Sequence, residues 1–375
     1  MKSKQFLYLI VVFSSAVLSG CTSVAGLVGM NQRCVVIAER AQIRSSGAVV
    51  AADVLEVKRG HSLEVLDETT FENEKWYNVR ASDEEQTEGW IEARYVITNN
   101  VLEKSQKLAD EDREIPAQAA GQLRAASNLR ISPDRTSDEN ILFKLMGGDT
   151  FEIVGWKRVP KSDESEKDDA PKGAANNQTG GAKRQKDDNT PMQMDDKYDT
   201  WYKVRLNPSV SPAPAGWIYG KQVELAVPAD IIFYRTGREF VAWRRLDGED
   251  DSANSSFMNR GKDMAREEKP GSWVILEKSN TLQEPDGEEP DFDRILVMGY
   301  DKYNKDHYKV YRSGNVKGFL PLRVSGTGDS RVFSVRLKDN DGQMIDVQFQ
   351  MFKDARGNIK VKVPDNIPKD DKVKD

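Results

Sequence analysis

The sequence predicts an all-β protein in which two small β-barrels precede a larger antiparallel β domain, either a sandwich or a barrel. Three observations lead to this prediction. The first is an internal repeat, which has to be recognised before any other pattern is interpreted. The second is the alternation of apolar and polar residues over short stretches, which is typical of half-buried strands. The third is the regular occurrence of turn-forming residues between those stretches.

The repeat has two parts, a Trp-Tyr-x-Val-Arg stretch and, after a turn, a Gly-Trp-Ile stretch. The first copy has them at residues 76–80 and 89–91, and the second copy has them at residues 201–205 and 216–218. An alternating strand pattern precedes the tryptophan in each copy. Five short strands in about 60 residues, separated by turn signals, predict a small antiparallel barrel or sandwich for each copy.

The order of these features resembles the bacterial SH3-like family, also called SH3b. The shared elements are an Asn-x-Arg-x-x-Pro turn at residues 128–133, a strand ending in glycine, and the paired aromatic stretches. The first copy departs from the family at the turn, where Gln42 and Gly47 replace the favoured Asn and Gly-Pro. The resemblance covers residues 35–97 and 122–225, and it implies two five-stranded SH3-like barrels. Members of this family often bind cell-wall peptides or mediate contacts between domains.

The resemblance makes the aromatic residues of the repeat candidates for ligand contact. Strand alternation places Tyr77 on the same face as Val79 and Trp76 on the opposite face, so one of the two aromatics has to fill the barrel core. Core packing is the more common role for a single aromatic residue in a small barrel. The candidates are Trp76, Tyr77, Trp90, Trp201, Tyr202 and Trp217.

The first 20 residues have the organisation of a secretory signal. Lys2 and Lys4 precede an apolar run at residues 6–17, and Leu-Ser-Gly-Cys follows at residues 18–21. The apolar run is too short to favour a membrane-spanning helix. The Leu-Ser-Gly-Cys ending resembles the lipobox of bacterial lipoproteins, which implies cleavage before Cys21 and lipidation of that residue. An uncleaved anchor and a plain secretory signal are the alternatives.

Lipidation of Cys21 would make a membrane the first partner of the chain, because a diacylglyceryl cysteine supplies more than one buried acyl chain. Thr22 stands where the family's sorting rule places Asp in proteins retained at the inner membrane. The resemblance therefore favours the periplasmic side of the outer membrane for a Gram-negative source, and otherwise the outer face of the plasma membrane. Residues 21–32 would form a short tether.

Composition argues against several classes of function. The formal net charge is −6, and loss of Lys2 and Lys4 with the signal would make it more negative, which argues against nucleic-acid binding. Two Cys and two His cannot assemble a Cys/His zinc site in one chain. Cys34 lies in an apolar run and is expected to be a buried structural thiol, and His307 is expected at the surface. We predict no catalytic residue, metal or cofactor.

Composition shifts and turn signals also divide the chain into segments. Residues 99–120 are predicted to be a short helix or a solvated linker. An acidic loop at residues 284–293 lacks the ligand spacing of a calcium loop. The predicted segments are a signal peptide (1–20), a tether (21–32), SH3-like domain 1 (33–98), a linker (99–120), SH3-like domain 2 (121–227) with a disordered insertion (157–200), a β-rich C-terminal domain (229–364) that includes one helix (252–268), and a charged tail (365–375).

These observations favour a non-enzymatic envelope lipoprotein that acts as a binding or interaction module, with its SH3-like barrels contacting peptidoglycan. One alternative is a structural scaffold for other envelope proteins. A second is a cell-wall hydrolase with a catalytic C-terminal domain. SH3-like modules often accompany cysteine peptidases, which need a Cys with His partners, and Cys34 is far in sequence from His61 and His307. The oligomeric state is left open by the sequence.

Overall fold

The structure is a computed structural model of the 375-residue chain, and it describes residues 32–48, 50–161, 198–235, 237–247, 271–279, 289–326, 331–355 and 357–368. The chain forms two compact units, Met1–Asn100 and Val101–Asp375. Nearly all described elements are antiparallel strands, which confirms the predicted all-β fold class. The boundary predicted near residue 228 lies inside the second unit. The predicted signal, residues 21–31 of the predicted tether (Cys21 among them) and the predicted 252–268 helix lie outside the described residues.

The first unit contains one seven-stranded antiparallel sheet. Its core side is formed by alternate residues, among them Cys34, Tyr77, Val79 and Ile91. A 3-10 turn at Ala93–Tyr95 leads into the last strand. The strands are β1 Arg33–Val36, β2 Arg40–Arg44, β3 Asp53–Lys58, β4 Ser62–Phe71, β5 Glu74–Ala81, β6 Glu88–Glu92 and β7 Val96–Thr98. Their order in the sheet is β3-β2-β6-β5-β4-β1-β7.

The second copy of the repeat forms another seven-stranded sheet. Its strands are β8 Ala119–Leu123, β9 Ser127–Arg130, β10 Ile141–Leu145, β11 Thr150–Pro160, β12 Tyr198–Arg205, β13 Ala215–Tyr219 and β14 Val223–Leu225. Their order is β10-β9-β13-β12-β11-β8-β14, which repeats the order of the first sheet strand for strand. The sequence repeat is therefore also a repeat of topology. The prediction of five strands per copy was too low, because residues 33–44 contain two strands, β1 and β2, and the short β7 pairs with β1.

The predicted bounds of the insertion also have to be corrected. Strands β11 and β12 pair without interruption from Lys157↔Trp201 to Pro160↔Tyr198, so both ends of the predicted disordered segment are β-structure. The Arg158 guanidinium lies 4.6 Å from the centre of the Tyr198 ring at the end of this hairpin. The remaining residues, 162–197, lie outside the described part of the chain.

A helix, α1 (Asn99–Glu111), lies in the predicted linker. Of the two predicted forms of this segment, a short helix and a solvated linker, the structure has the helix. Val101 packs against the core of the second repeat, and Ser105 is fully buried. The apolar and small residues of α1 are thus used for packing within the second unit.

The C-terminal region begins with the short helix α2 (Ala229–Ile232) and continues as two four-stranded antiparallel sheets. The first sheet contains β15 Glu239–Arg245, β16 Trp273–Lys278, β17 Arg294–Asp301 and β18 Asp306–Arg312. The second contains β19 Lys317–Ser325, β20 Val332–Lys338, β21 Met344–Lys353 and β22 Ile359–Lys362. In each sheet the strands follow one another in chain order.

The first of these sheets is buried on both faces. Trp273 and Ile275 belong to the core that this sheet shares with the second repeat. Val274 and Leu276, which point the other way, belong to the core shared with the β19–β22 sheet. Burial of both faces explains why β16 reads as a continuous apolar run without alternation. The second unit thus consists of the second repeat and two further sheets, joined by two successive cores.

Candidate functional site

The six aromatic candidates have two different environments. Trp76, Tyr77, Trp201 and Tyr202 are all buried, whereas Trp90 and Trp217 are half-buried. Tyr77 faces the core together with Val79, as strand alternation predicts. Trp90 and Trp217, which occupy equivalent positions in β6 and β13, are the candidates that keep surface for a ligand.

The tryptophans that precede the core tyrosines pack outside the barrel cores. Trp201 lies against Tyr219, with ring centres 5.5 Å apart, and the Tyr219 hydroxyl donates to Asp199 Oδ1 at 2.9 Å. In the first copy, Trp76 lies beside Gly47, where an added Cβ would be 3.6 Å from the indole ring. Both tryptophans therefore pack against residues of their own copy.

The glycines before Trp90 and Trp217 have a steric role. A Cβ on Gly89 would lie 2.6 Å from the carbonyl oxygen of Arg44, and a Cβ on Gly216 would lie 2.6 Å from Leu129 Cγ. Real Cβ atoms do not approach other heavy atoms this closely. The Gly-Trp-Ile motif therefore includes a glycine because β6 and β13 each pass close to the neighbouring strand.

Helix α1 covers part of the outer face of the second copy. The Ser105 hydroxyl donates to the carbonyl of Ala215 at 2.5 Å and accepts from the Ala215 N–H at 3.0 Å. The helix is thereby bonded to the main chain of β13. Lys203, which stands opposite Trp217 in the neighbouring strand, binds the end of the same helix, so the helix reaches the face on which Trp217 lies.

Two cations on β12 hold the C-terminal end of α1. Lys203 Nζ lies 2.7 Å from Glu111 Oε2 and 2.6 Å from Asp112 Oδ2, and the lysine is largely buried. Arg205 Nη2 donates to the carbonyls of Asp112 at 2.9 Å and Ile115 at 3.1 Å. Positive charge is stabilising at a helix C-terminus, where unpaired carbonyls and the helix dipole concentrate negative charge. Lys203 and Arg205 thus fix the exit of α1 on the second repeat.

The residues after this helix connect the second repeat to both C-terminal sheets. Arg244 donates to the carbonyl of Ala117, and the Trp243 N–H donates to the carbonyl of Gln118 at 3.0 Å. The fully buried side chain of Gln118 is bonded to the main chain of Leu322 in β19. These contacts make the second repeat part of one body with the C-terminal sheets.

The first copy has different residues at the equivalent positions. The strand registers pair Arg80 with Glu88 in the first copy and Arg205 with Ala215 in the second. Counting back two residues along β5 and β12 makes Asn78 the equivalent of Lys203. The first copy therefore has a cation, Arg80, at only one of these two positions. It also has a carboxylate, Glu88, opposite Arg80, where the second copy has Ala215.

Arg80 lines a cleft in the first unit, called the Arg80 cleft below, with a volume of about 300 Å³. Arg80 Nη1 lies 3.1 Å from Glu64 Oε2, and Nε and Nη2 lie 2.8 and 2.6 Å from Glu88 Oε1. The lining is polar. It consists of Arg33, Ser62, Leu63, Glu64, Arg80, Ala81, Ser82, Asp83 and Gln86. The sequence patterns did not predict this site, although the arginine that ends both Trp-Tyr-x-Val-Arg stretches was a signal for it.

Cys34 has no hydrogen-bonded His partner within the described residues. His61 is exposed, and its Nδ1 accepts from the Lys58 N–H at 3.4 Å. Cys34 is fully buried, as expected, and burial raises the pKa of its thiol to about 12. Thiolate, the reactive form of cysteine, is therefore scarce at neutral pH.

The expectation that His307 lies at the surface was wrong. The residue is buried, with Nδ1 2.7 Å from Asp230 Oδ2 and Nε2 2.9 Å from the Gly271 carbonyl. Burial tends to raise the pKa of Asp230, but the hydrogen bonds from His307 outweigh it and the pKa is lowered. Since both ring nitrogens face acceptors, His307 connects α2 to Gly271 and has no free nitrogen for proton transfer.

A buried carboxyl group, Glu277, was also not predicted from the sequence. Burial raises its pKa to about 7, while Arg238 and Arg312 lower it and Asp293 raises it. Its Oε2 atom has no hydrogen-bond partner in the described part of the structure. The sequence signal was a glutamate directly after the apolar run of β16. Glu277 is only 2% exposed, so it has little surface on which a substrate could contact it.

Two further properties concern the described residues alone. They contain no group of three or more His, Cys, Asp or Glu side chains arranged to hold a metal ion. Within the same ranges, no helix combines the length and hydropathy that crossing a membrane requires.

Comparison with known proteins gives little. No family model matches the sequence, and no curated protein matches it. Among solved structures, a NlpC/P60 family protein from Bacillus cereus has 9% identity and a TM-score of 0.19, covering 89% of this chain and 95% of that chain. NlpC2 from Trichomonas vaginalis has 8% identity and a TM-score of 0.15, covering 90% and 95%. NlpC1 from the same organism has 10% identity and a TM-score of 0.14, covering 90% of each chain. TM-scores this low carry no inference about fold or activity.

Proposed function

We propose that this protein is a non-enzymatic lipoprotein of the bacterial cell envelope, anchored through Cys21, whose first SH3-like unit contacts peptidoglycan. The anchor rests on the lipobox at residues 18–21, and the binding role rests on the paired aromatic motifs. In this proposal the second unit is a rigid spacer that carries the C-terminal sheets. The proposal assigns ligand contact to Trp90 in the first unit.

One observation carries this division of roles. In the second copy Lys203 and Arg205 hold helix α1, whereas the equivalent residues of the first copy are Asn78 and Arg80, which hold no helix within the described residues. The outer face of the second copy is thus occupied by the chain's own helix. The first copy keeps a half-buried Trp90, and its Asn78 carries no charge with which to hold the acidic end of a helix. A surface that is already bonded within the unit is poorly suited to a further ligand, because its contacts would have to be broken first.

The non-enzymatic part of the proposal rests on the state of the candidate groups. The Cys34 thiol is buried with a raised pKa, and both nitrogens of His307 are bonded to acceptors. A nucleophile needs a base within hydrogen-bond reach and a path for the substrate. Glu277 has a raised pKa but no opening to solvent in the described residues.

Co-sedimentation with purified peptidoglycan sacculi tests the binding role. The mature chain with Cys21→Ser is mixed with sacculi and centrifuged, beside Trp90→Ala and its matched control Trp217→Ala. We expect the parent chain and Trp217→Ala to sediment and Trp90→Ala to stay in the supernatant, with folding verified by near-UV circular dichroism. Equal sedimentation of the two variants, or none by the parent, would remove the assignment to Trp90.

The anchor needs a test of its own. Cells that express the full chain are labelled with radioactive palmitate and then fractionated. We expect label on the wild type and none on Cys21→Ser, which should also leave the membrane fraction, because a polypeptide without acyl chains loses the buried CH2 groups that hold it there. Unlabelled wild type in the membrane fraction would point instead to the uncleaved anchor.

A structural scaffold for other envelope proteins remains the second candidate function. The observation in its favour is the second unit, in which residues Ala117 and Gln118 bind the repeat to both C-terminal sheets. Such a body holds its surfaces at fixed positions, as a scaffold requires. A protein with this role would not sediment with sacculi, so the same experiment separates the two functions.

A further inference from the structure

The two copies of the repeat share a cross-strand ion pair on their outer faces. Glu64 in β4 stands opposite Arg80 in β5, and Glu152 in β11 stands opposite Arg205 in β12. The guanidinium-to-carboxylate distances are 3.1 Å and 3.3 Å. The two arginines therefore have the same position and the same anchoring carboxylate. The surroundings of the two arginines differ, and this difference indicates what each arginine can bind.

In the second copy this arginine binds a peptide main chain. Arg205 donates to the carbonyls of Asp112 and Ile115, which are three residues apart and lie in a turn closed by the Ile115 N–H to Asp112 carbonyl bond. The bound segment is acidic, since it contains Glu111, Asp112 and Glu114. The site beside Arg205 thus shows how an arginine at this position binds a peptide, because an acidic turn of the same chain occupies it.

In the first copy the equivalent arginine keeps donors for such a ligand. A guanidinium has five N–H donors. The bonds from Arg80 to Glu64 and Glu88 use one donor each on Nη1, Nε and Nη2, which leaves one on Nη1 and one on Nη2. Arg80 lines an open cleft, so these two donors can meet carbonyls that come from outside the unit.

The first copy also has a second cation at this site. Arg33 in β1 stands opposite Glu64, where the second copy has Ala120 opposite Glu152. Arg33 is exposed, and it forms no ion pair within the described residues. The acids of the cleft are engaged, because Glu64 is bonded to Arg80, and Asp83 accepts from the Thr87 hydroxyl and N–H. These bonds also lower the pKa of Asp83, which stays ionised. Arg33 is therefore the cation of the cleft that has no carboxylate partner within the described residues.

We propose that the Arg80 cleft is a binding site for an acidic peptide segment. The spare donors of Arg80 bind main-chain carbonyls, as Arg205 does, and Arg33 binds a carboxylate of the ligand. In the second copy Lys203 has the role that Arg33 has here, since it binds the acidic side chains of the turn. Trp90 does not line the cleft, so this site is separate from the peptidoglycan contact proposed above.

The test uses the full mature chain with Cys21→Ser and a fluorescent peptide with the sequence of residues 109–118, Ala-Asp-Glu-Asp-Arg-Glu-Ile-Pro-Ala-Gln. Binding is measured by fluorescence anisotropy at physiological salt. The variants are Arg33→Ala and Arg80→Ala. The matched control is Arg40→Ala, which removes the same charge from an exposed residue of the first unit that does not line the cleft.

We expect each cleft variant to weaken binding by about fivefold or more, and Arg40→Ala to change it by less than about twofold. A peptide with Asn and Gln in place of Asp and Glu should bind the parent chain weakly. It should bind the Arg33→Ala variant as well as it binds the parent chain. Absence of binding, or equal weakening by all three variants, would overturn the proposal. Arg33 forms no ion pair within its described surroundings, so its variant stays informative if Arg80→Ala fails to fold. The Arg33→Ala variant is also tested for sedimentation with sacculi, so that a failure of the acidic-peptide proposal can be distinguished from a failure of the proposed peptidoglycan contact.

Discussion

The side-chain amide of Gln118 is paired with the main chain of Leu322 in the manner of a β-bridge. Gln118 Oε1 accepts from the Leu322 N–H at 2.6 Å, and its Nε2 donates to the Leu322 carbonyl at 3.3 Å. The glutamine is fully buried and lies 204 residues before its partner. One side chain thus satisfies a donor and an acceptor of β19 that water does not reach.

Gln118→Ala should therefore destabilise the second unit by about 2–3 kcal/mol, because it leaves two buried polar groups of Leu322 unpaired. The measurement is a urea series with peptide-resolved hydrogen exchange, in which β12 and β20 report on the unit. Gln348→Ala, at an exposed position of β21, is the control and should change stability by less than about 0.5 kcal/mol. An effect of Gln118→Ala no larger than that of the control would show that the bridge adds nothing to stability.

Gly89→Ala should destabilise the first unit by about 1–3 kcal/mol, because the new Cβ would meet a backbone oxygen that no rotamer change can move. Hydrogen exchange of β5 and β6 in a urea series gives the change. Gly47→Ala is the matched control in the same unit, since a Cβ there would have neighbours at ordinary distances, 3.5 Å and beyond. Should both variants be equally stable, the close approach of β6 to Arg44 would not be the reason for the glycine.

Glu277 should make the stability of the second unit depend on pH. Burial holds its pKa at about 7 in the folded chain, against 4.5 as its ordinary value, so the folded state binds the proton more tightly. This contribution is fully present below pH 4.5 and is lost as the pH rises through 7, and it amounts to about 3 kcal/mol at most.

The neutral variant Glu277→Gln cannot titrate, so it should lose less stability than the wild type between pH 5 and pH 8. The comparison needs urea unfolding of both proteins at the two pH values, since contributions from other groups cancel in the difference. Parallel curves for the two proteins would mean that Glu277 is already ionised in the folded state at pH 5.

Cys34 should be almost inert in the folded protein. With a pKa of about 12, its thiolate fraction at pH 8 is on the order of 10⁻⁴. In the Cys21→Ser chain it is the one remaining thiol, so Ellman's reagent reports on it alone. We expect the reaction to be slower than in 8 M urea by about a thousandfold. Rapid reaction without denaturant would show that β1 opens or that the thiol is accessible.

Local patterns in the sequence predicted the structural features that depend only on residues close together in the chain. The repeat and strand alternation gave the all-β fold class, the common face of Tyr77 and Val79, and the buried state of Cys34. A period of two is enough for these, because a strand presents alternate residues to the core whatever lies beyond it. Even here the strand count was short, since the pairing of the three-residue β7 with β1 depends on residues far apart in the chain.

Contacts between distant residues could not be predicted in this way. His307 was expected at the surface, but Asp230 and Gly271, 77 and 36 residues away, enclose it. Lys203 is held by Glu111, 92 residues earlier, and nothing in β12 alone indicates that partner. The Arg80 cleft likewise combines residues of β1, β4 and β5 that only the sheet order brings together.

The identical strand order of the two copies is what a duplicated ancestral segment would leave, and their differences record how the duplicates diverged. Lys203 and Asp112 are bound to each other, so a change in one should persist among homologous chains mainly where the other has changed to match. Asn78, the equivalent of Lys203, forms no such ion pair within the described residues, so its identity is not constrained by a contact of this kind.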